Sequence, residues 1–184
     1  AWVAGLSEAL SPPLPPLPPL EVTREQWFHF RPRRDDVDRW PSFVHHLRPD
    51  ATPAFVYGLR TPDEGVKVAE HHTGAVVDPD RRRFEVEPEG AHRLRGYVEE
   101  WLPGLDPTSG VGTTCLYTST ASEDFVLDRA GPVVVASPCS GHGFKFTPEV
   151  GRLLADLADG LVPAQRRFTL AAHGAGRARP VHHR

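Results

Sequence analysis

The stretch Ser140–Gly160, SGHGFKFTPEVGRLLADLADG, joins a turn containing two glycines to a segment with helical spacing. Thr147 suits the N-cap of a helix, Pro148 its first helical position and Gly160 its end. Apolar residues recur at the spacing of one helix face, namely Val150, Leu153, Leu154, Leu157 and Leu161. The stretch therefore predicts an amphipathic helix that packs against a sheet and follows a glycine-containing loop.

The loop ahead of this helix has two interpretations. Backbone N–H groups at a helix N-terminus favour anions, glycines allow close approach, and Lys145 adds a positive charge. The other interpretation is a structural turn, because the GHG sequence has no further glycines around it. The GxGxxG dinucleotide fingerprint occurs nowhere in the chain. Spacing alone does not decide between a ligand cradle and a turn.

Composition excludes several classes of protein. The 184 residues are 39% hydrophobic, which is enough for one core or for two lobes that share one. A formal net charge of −3 argues against nucleic-acid binding, and no apolar run has the length of a membrane span. Two cysteines are too few for a disulfide framework, so we expect a reducing, cytoplasmic setting. Because the histidine pairs lack further ligands, we predict no metal site.

The chain uses arginine almost everywhere it needs a cation. Of its 21 lysine and arginine residues, only Lys67 and Lys145 are lysines. One interpretation is a coding bias that favours arginine over lysine, with Lys67 and Lys145 remaining by chance. The other is that both positions need a compact ammonium that can lose its proton, which a guanidinium cannot do. The alternation GVKVAE places Val66 and Val68 on one face of a strand and Lys67 on the other.

The remaining pattern predicts an α+β fold. Short alternating segments predict strands, and EPEGAHRLRGYVEEWLPG (87–104) predicts a helix that ends at Pro103 and Gly104. The segment EDFVLDRAGPVVVASPC (123–139) predicts a hairpin, whose apolar second arm suggests a strand buried on both faces. SPPLPPLPPL (11–20) favours polyproline II, as a stiff spacer or as a recognition tract. The Arg- and Gly-rich tail from Gln165 is expected to fray.

These segments together resemble one family. CLYTST (115–120), VVVASPCSGHGFKF (133–146) and the following helix resemble the C-terminal part of the monomeric sarcosine oxidase family, which includes N-methyltryptophan oxidase and pipecolate oxidase. The initial AW, the segment EGVKVAEHH (64–72) and VEEWLPGL (98–105) support the resemblance, which covers roughly residues 1–160. Family members are flavoproteins with FAD in a Rossmann-like domain and the substrate under an antiparallel sheet.

The resemblance implies a domain organisation. It predicts an antiparallel-sheet substrate domain followed by the C-terminal strand, loop and helix of a Rossmann-like FAD domain whose N-terminal part is missing. The chain has no methionine, even at its start, and we therefore expect a fragment or a processed product. The predicted segments are an FAD-domain remnant with a Pro-rich linker, a β-rich substrate domain, a C-terminal FAD part and a flexible tail, at residues 1–20, 21–114, 115–164 and 165–184.

The resemblance also implies which residues face the cofactor. Cys115 matches the cysteine that bonds covalently to the flavin, although an inert buried cysteine is the bland alternative. Lys67 matches the lysine near flavin N5 that is implicated in oxygen activation. The loop whose backbone lies against the isoalloxazine is matched by Gly141, His142, Gly143 and Phe144.

Three further positions match residues that bind substrate. Lys145 matches the lysine that holds the substrate carboxylate, and Tyr57 and His71 match a tyrosine and a histidine that line the cavity. One residue is missing between Tyr57 and Lys67 relative to the family, and Pro138–Cys139 replaces a common Gly-Phe.

The resemblance thus implies an FAD-dependent oxidase of a secondary amino acid, N-methyl or cyclic. Its partners are a small amino acid or amine, O2 and the missing N-terminal half, and its products are an imine and H2O2. The sequence leaves the identity of the amine open. It also leaves two alternatives: a non-catalytic fragment or interaction module that binds no flavin alone, and a flavin-dependent amine dehydrogenase that uses another acceptor.

Overall fold

The computed structural model describes residues 17–34, 40–47 and 55–174, and the chain divides into two compact units. The sheet unit is Thr23–Leu116. The hairpin unit combines Ala1–Val22 with Tyr117–Arg184. Most of the Pro-Pro-Leu tract, residues 11–16, lies outside the described residues.

A six-stranded sheet is built on the strand β1. Strands β1 to β6 span Leu20–Phe30, Phe43–His46, Phe55–Thr61, Gly65–Glu70, Ala75–Val76 and Val111–Thr120. The order is β2-β3-β4-β1-β5, and β6 also pairs with β1. The ladders β1–β4, β1–β5, β2–β3 and β3–β4 are antiparallel. Strand β1 therefore has three partners.

One face of this sheet forms the core of the sheet unit. Val66 and Val68 are fully buried, and helix α1, Pro88–Trp101, contributes the buried Leu94 and Val98 to the same cluster. The alternation of β4 is thus as the sequence predicts, with Lys67 on the face away from the helix. The buried core comprises Phe28, Phe30, Val56, Val66, Val68, Leu94, Val98 and Leu105.

The hairpin unit packs apolar elements on both faces of a two-stranded sheet. Strands β7, Val126–Ala130, and β8, Val133–Ser137, pair in antiparallel register. Val126 and Val135 lie in one cluster with Leu170, whereas Leu127 lies in a second cluster with Val150 of the following helix. The predicted hairpin is confirmed. Elements pack on both faces, but of β8 only Val135 is buried and the other residues are half-buried, so the predicted burial of this strand on both faces holds only in part.

Helix α2 spans Thr147–Asp159, which shifts its start relative to the prediction. Thr147 is the first helical residue, and its hydroxyl donates to the carbonyl of Phe144 at 2.6 Å instead of capping the helix. The reason is a 3-10 turn, Phe144–Phe146, that leads straight into the helix. Leu161 lies beyond the helix and is 71% exposed, so it is not part of the buried stripe.

The end of α2 is as predicted. Gly160 adopts a left-handed φ of +71°, and the N–H of Leu161 donates to the carbonyl of Asp156 at 2.9 Å. This is the Schellman arrangement, in which a glycine lets the chain turn back over the last carbonyls. The Arg129 guanidinium caps the carbonyls of Leu157 and Ala158 as well.

The tail that the sequence predicts to fray from Gln165 contains two short regular elements in its described part, residues 165–174. A 3-10 turn, Arg166–Phe168, precedes the short helix α3, Leu170–Gly174. Leu170 is buried, and its N–H donates to Asp128 at 2.8 Å. Arg167 pairs with Asp124. The composition of this segment concealed these specific contacts.

The described residues thus form antiparallel sheets with few helices, in agreement with the predicted α+β class. Within the described ranges, no helix combines the length and the hydropathy that a membrane crossing requires.

Candidate functional site

The face of the sheet away from α1 carries the sheet unit's candidate residues. Lys67 pairs with His29 of β1 and Leu59 of β3, while Trp27 and Tyr57 both pair with Ala69. Residues directly opposite each other in a ladder share a face. Trp27, His29 and Tyr57 therefore surround Lys67 on this face.

The ammonium of Lys67 lies over aromatic rings. Its Nζ atom is 4.3 Å from the centroid of Trp27 and 5.7 Å from that of Tyr57. Such cation–π contacts stabilise a cation that has lost part of its water. Sequence reasoning missed Trp27. The signal that could have found it is the alternation of β1: Phe28 and Phe30 face the core, so Trp27 must face the opposite side.

Electrostatics link Lys67 to Cys115. Burial lowers the pKa of the Lys67 amine below its usual 10.5, and the negative charge available at Cys115 raises it in part. The sulfur of Cys115 on β6 is therefore within electrostatic reach of the amine. Both residues belong to the sheet unit, Lys67 on β4 and Cys115 on β6.

Tyr57 and His71 belong to the same group of rings. The His71 ring stacks on Phe55 at 4.3 Å between centroids and lies edge-on to Tyr57 at 6.3 Å. His72 contacts His71 at 4.1 Å. Tyr57 thus connects Lys67 with His71, so the four predicted residues of the sheet unit lie in one region.

The predicted loop lies in the hairpin unit and begins with a tight turn. The His142 N–H donates to the Cys139 carbonyl at 3.0 Å, and φ is positive at both Ser140 (+44°) and Gly141 (+73°). Positive φ at both central positions is the mark of a type I′ turn. The Ser140 N–H donates to the Thr118 carbonyl at 2.9 Å, which anchors the turn to β6.

Both glycines of the loop are required by the chain's own packing. A Cβ atom on Gly141 would meet the ring of Tyr117, and one on Gly143 would overlap the carbonyl oxygen of Pro138. The structural interpretation of the loop is therefore sufficient to explain its glycines. A role in ligand binding stays a prediction that rests on the resemblance.

His142, Phe144 and Lys145 complete the loop. The Nδ1 atom of His142 lies 2.7 Å from the Ser140 carbonyl, which can only accept, so Nδ1 carries a proton. Its ring stacks on Phe125 with centroids 5.0 Å apart. Lys145 is exposed and its Nζ donates to the His142 carbonyl at 3.2 Å, while Phe144 is 94% exposed.

Neither cysteine forms a disulfide. The Cys139 sulfur accepts a hydrogen bond from the Thr118 N–H at 3.3 Å, which is a structural contact. Among the described residues, no three His, Cys, Asp or Glu side chains form a group that could hold a metal ion.

The family model for FAD-dependent oxidoreductases, called DAO, matches residues 1–157. A monomeric sarcosine oxidase of Bacillus sp. (strain B-0618) is 41% identical over 99 residues, covering 51% of this chain and 25% of that protein. An N-methyl-L-tryptophan oxidase of Salmonella agona is 30% identical over 163 residues, covering 85% of this chain and 42% of that protein. The chain thus spans less than half the length of these relatives.

Solved structures share the fold. The open form of NikD, described as an unusual amino acid oxidase, has a TM-score of 0.64 at 22% identity and covers 91% of this chain and 45% of that one. The fructosamine oxidase of Aspergillus fumigatus has a TM-score of 0.63 at 20% identity and covers 87% and 42%. The chain belongs to the DAO family of FAD-dependent oxidoreductases.

The environment of Lys67 predicts a titration below the normal range for lysine. Since burial disfavours its charged form, we expect its NMR titration midpoint to lie below 10.5. The folded chain then binds fewer protons than the unfolded chain between the lowered pKa and 10.5. Stability should therefore rise with pH across that interval, and Lys67→Met should remove this rise. With two lysines in the chain, the same variant assigns the signal; a midpoint at or above 10.5 contradicts the prediction.

The loop predicts a contrast between two glycine substitutions. Gly143→Ala should lower the free energy of unfolding by about 1–3 kcal/mol, because the new methyl group overlaps the Pro138 carbonyl. Gly151→Ala on α2 meets nothing within 4 Å and should raise it by about 0.5–1 kcal/mol. Urea unfolding followed by circular dichroism measures both. Equal effects of the two changes would show that the loop is not tightly packed.

Proposed function

We propose that the protein to which this chain belongs is an FAD-dependent oxidase that converts a secondary amino acid, N-methyl or cyclic, to its imine. In this reaction a C–H bond next to nitrogen breaks, a C=N bond forms, and O2 takes up two electrons and two protons to give H2O2. The observation that carries the proposal is the partly desolvated ammonium of Lys67, held over Trp27 beside Cys115, in a chain of this family.

The described residues fit a flavin at its ring end. Cys115 offers a thiol near an ammonium, and an ammonium favours the nucleophilic thiolate. The glycine loop offers backbone polar groups, although its glycines already have a packing role. When bound, the flavin supplies the transfer of a hydride equivalent from carbon and of electrons to oxygen. By the resemblance, Cys115 in the sheet unit would hold a flavin ring covalently. The resemblance separately assigns a flavin-facing backbone to Gly141, His142, Gly143 and Phe144 in the hairpin unit.

Lys67 would act on oxygen. A positive charge fixed in a partly buried site stabilises negative charge that develops on O2 more strongly than a charge in water does. The rings of Trp27 and Tyr57 restrict where Nζ can go. Because burial lowers its pKa, Nζ also gives up a proton more readily than an exposed lysine.

Lys145 would bind the substrate. Its exposed ammonium is a point charge suited to a carboxylate, and its contact with the His142 carbonyl orients it. Within the sheet unit, the resemblance assigns Tyr57 and His71, whose rings are in contact, to the lining of the substrate cavity. Holding the carboxylate fixes the direction of the breaking C–H bond, which lowers the entropic part of the barrier.

The rest of the FAD would bind to chain outside these 184 residues. No GxGxxG motif occurs in this sequence, and the matched part spans 25% and 42% of the two relatives. We therefore propose that residues of a Rossmann-like domain elsewhere in a longer polypeptide hold the adenosine and the pyrophosphate. Residues 115–164 would contribute the last strand, loop and helix of that domain.

Two lysine variants of the full-length protein test the roles of the lysines. Lys67→Met should slow the reaction with O2 about a hundredfold or more while leaving flavin reduction within about threefold. Lys145→Met should weaken amine binding about tenfold to a hundredfold and leave the reaction with O2 unchanged. Stopped-flow absorbance measures both half-reactions separately. An equal loss of both half-reactions in Lys67→Met would make that lysine purely structural, and a wild type indifferent to O2 would favour a dehydrogenase.

The cysteines offer a matched pair of variants. Cys115→Ser should release the flavin on acid precipitation, since serine cannot form the thioether, whereas Cys139→Ser should retain it. The flavin in the pellet is measured by fluorescence. Flavin that leaves the wild-type protein freely on acid precipitation would remove the covalent role from Cys115.

A further inference from the structure

Between the end of β4 at Glu70 and the start of β5 at Ala75, the chain leaves the regular ladder with β1, and this segment is called the excursion. Both strands pair with β1: Ala69 lies opposite Trp27, and Ala75 lies opposite Arg24. Between these pairs, β1 has two residues whereas the partner chain has the five residues 70–74. The surplus residues carry His71 and His72, and they have no regular ladder position.

Glu25 lies on β1 opposite this excursion and is almost fully buried, at 2% exposed. One carboxylate oxygen, Oε2, accepts the N–H groups of Thr73 at 3.2 Å and Gly74 at 3.1 Å. The other, Oε1, accepts the hydroxyl of Thr23 at 2.6 Å. A side chain thus replaces the carbonyl partners that an uninterrupted ladder would give these two amides.

The excursion is held from the helix side as well. The hydroxyl of Thr73 donates to Glu70 at 3.3 Å, and Glu70 in turn accepts two hydrogen bonds from Arg93 of α1 at 2.7 and 3.0 Å. The carboxylate of Glu25 is held instead by the amides of Thr73 and Gly74 and by the hydroxyl of Thr23.

The backbone of the excursion tolerates little change. His72 has a φ of +53°, which is uncommon for a residue with a side chain. A Cβ on Gly74 would overlap the carbonyl oxygen of Arg24. The excursion therefore needs stabilising contacts to keep this backbone path, and Glu25 supplies two of them, to the amides of Thr73 and Gly74.

We propose that Glu25 is the positioning residue for His71. By fixing the amides of Thr73 and Gly74, its carboxylate sets the path of the excursion and with it the stacking of the His71 ring on Phe55. Glu25 does not act on the substrate itself. The effect of Glu25 on amine binding rests on the proposed function, in which His71 lines the cavity. The effect of Glu25 on the position of the His71 ring is independent of that function.

NMR of the isotope-labelled 184-residue chain tests this proposal without flavin. Glu25→Ala should abolish the Phe55–His71 nuclear Overhauser effect and speed amide exchange at Thr73 and Gly74 by at least about tenfold. Glu25→Gln keeps an oxygen that accepts the two amides and should preserve both signals. Glu21→Ala, at an exposed position of the same strand, is the matched control and should change neither. His71→Gln assigns the ring resonances.

Two results would overturn the proposal. One is a folded Glu25→Ala chain in which the His71 ring signals and the two exchange rates are unchanged. The other is measured on the wild type, so that it holds even if the alanine variant fails to fold: exchange of the Thr73 and Gly74 amides at random-coil rates.

Kinetics of the full-length protein separate this proposal from the proposed function. Glu25→Ala should raise KM for the amine about tenfold with a smaller change in kcat, and Glu25→Gln should restore KM. A wild-type protein that oxidises no secondary amine contradicts the proposed function and leaves the NMR result to decide the role of Glu25. An active protein with unchanged KM in Glu25→Ala contradicts the consequence of Glu25 for amine binding, and the NMR result then decides its effect on the His71 ring.

Discussion

The alternation of side chains along β1 is the constraint on which the sheet unit depends. Phe28 and Phe30 point to the core under α1, so Trp27 and His29 must point to the opposite face. That alternation places an aromatic ring under Lys67 and a carboxylate at Glu25 on one face. A shift of one residue would exchange the two sets and bury polar groups in the core. The register of β1 that buries the core therefore also sets which residues face the candidate site.

Several elements could be read from the sequence because their signals are local. The alternation around Lys67, the helix before Pro103, the β7–β8 hairpin and the glycine that ends α2 each follow from neighbouring residues. The start of α2 was displaced, because propensities for caps do not reveal a preceding 3-10 turn. The candidate residues could be named from the sequence because of its resemblance to a family. That several of them share one face of the sheet could be seen only from the register of the strands.

What the sequence concealed is mostly non-local. The surplus of residues opposite Glu25 becomes visible only when two ladders on the same strand are compared. Trp27 becomes a candidate site residue only through its contact with Lys67, which lies forty residues later in the chain. The packing of residues 165–174 likewise depends on partners such as Asp124 and Asp128, which composition cannot supply. These contacts join residues far apart in the chain, beyond the reach of any short window.

The odd number of surplus residues in the excursion uncouples the phase of β5 from that of β4. Three extra residues reverse the phase of the strand, so that Ala75 faces the side of Arg24 even though its odd number would align it with Lys67. As long as Ala75 stays opposite Arg24, an insertion or deletion in this segment changes the number of surplus residues and leaves the face of β5 unchanged, because the pairing with β1 sets that face. The excursion thus separates the length of the connection from the alternation of the two strands that it joins.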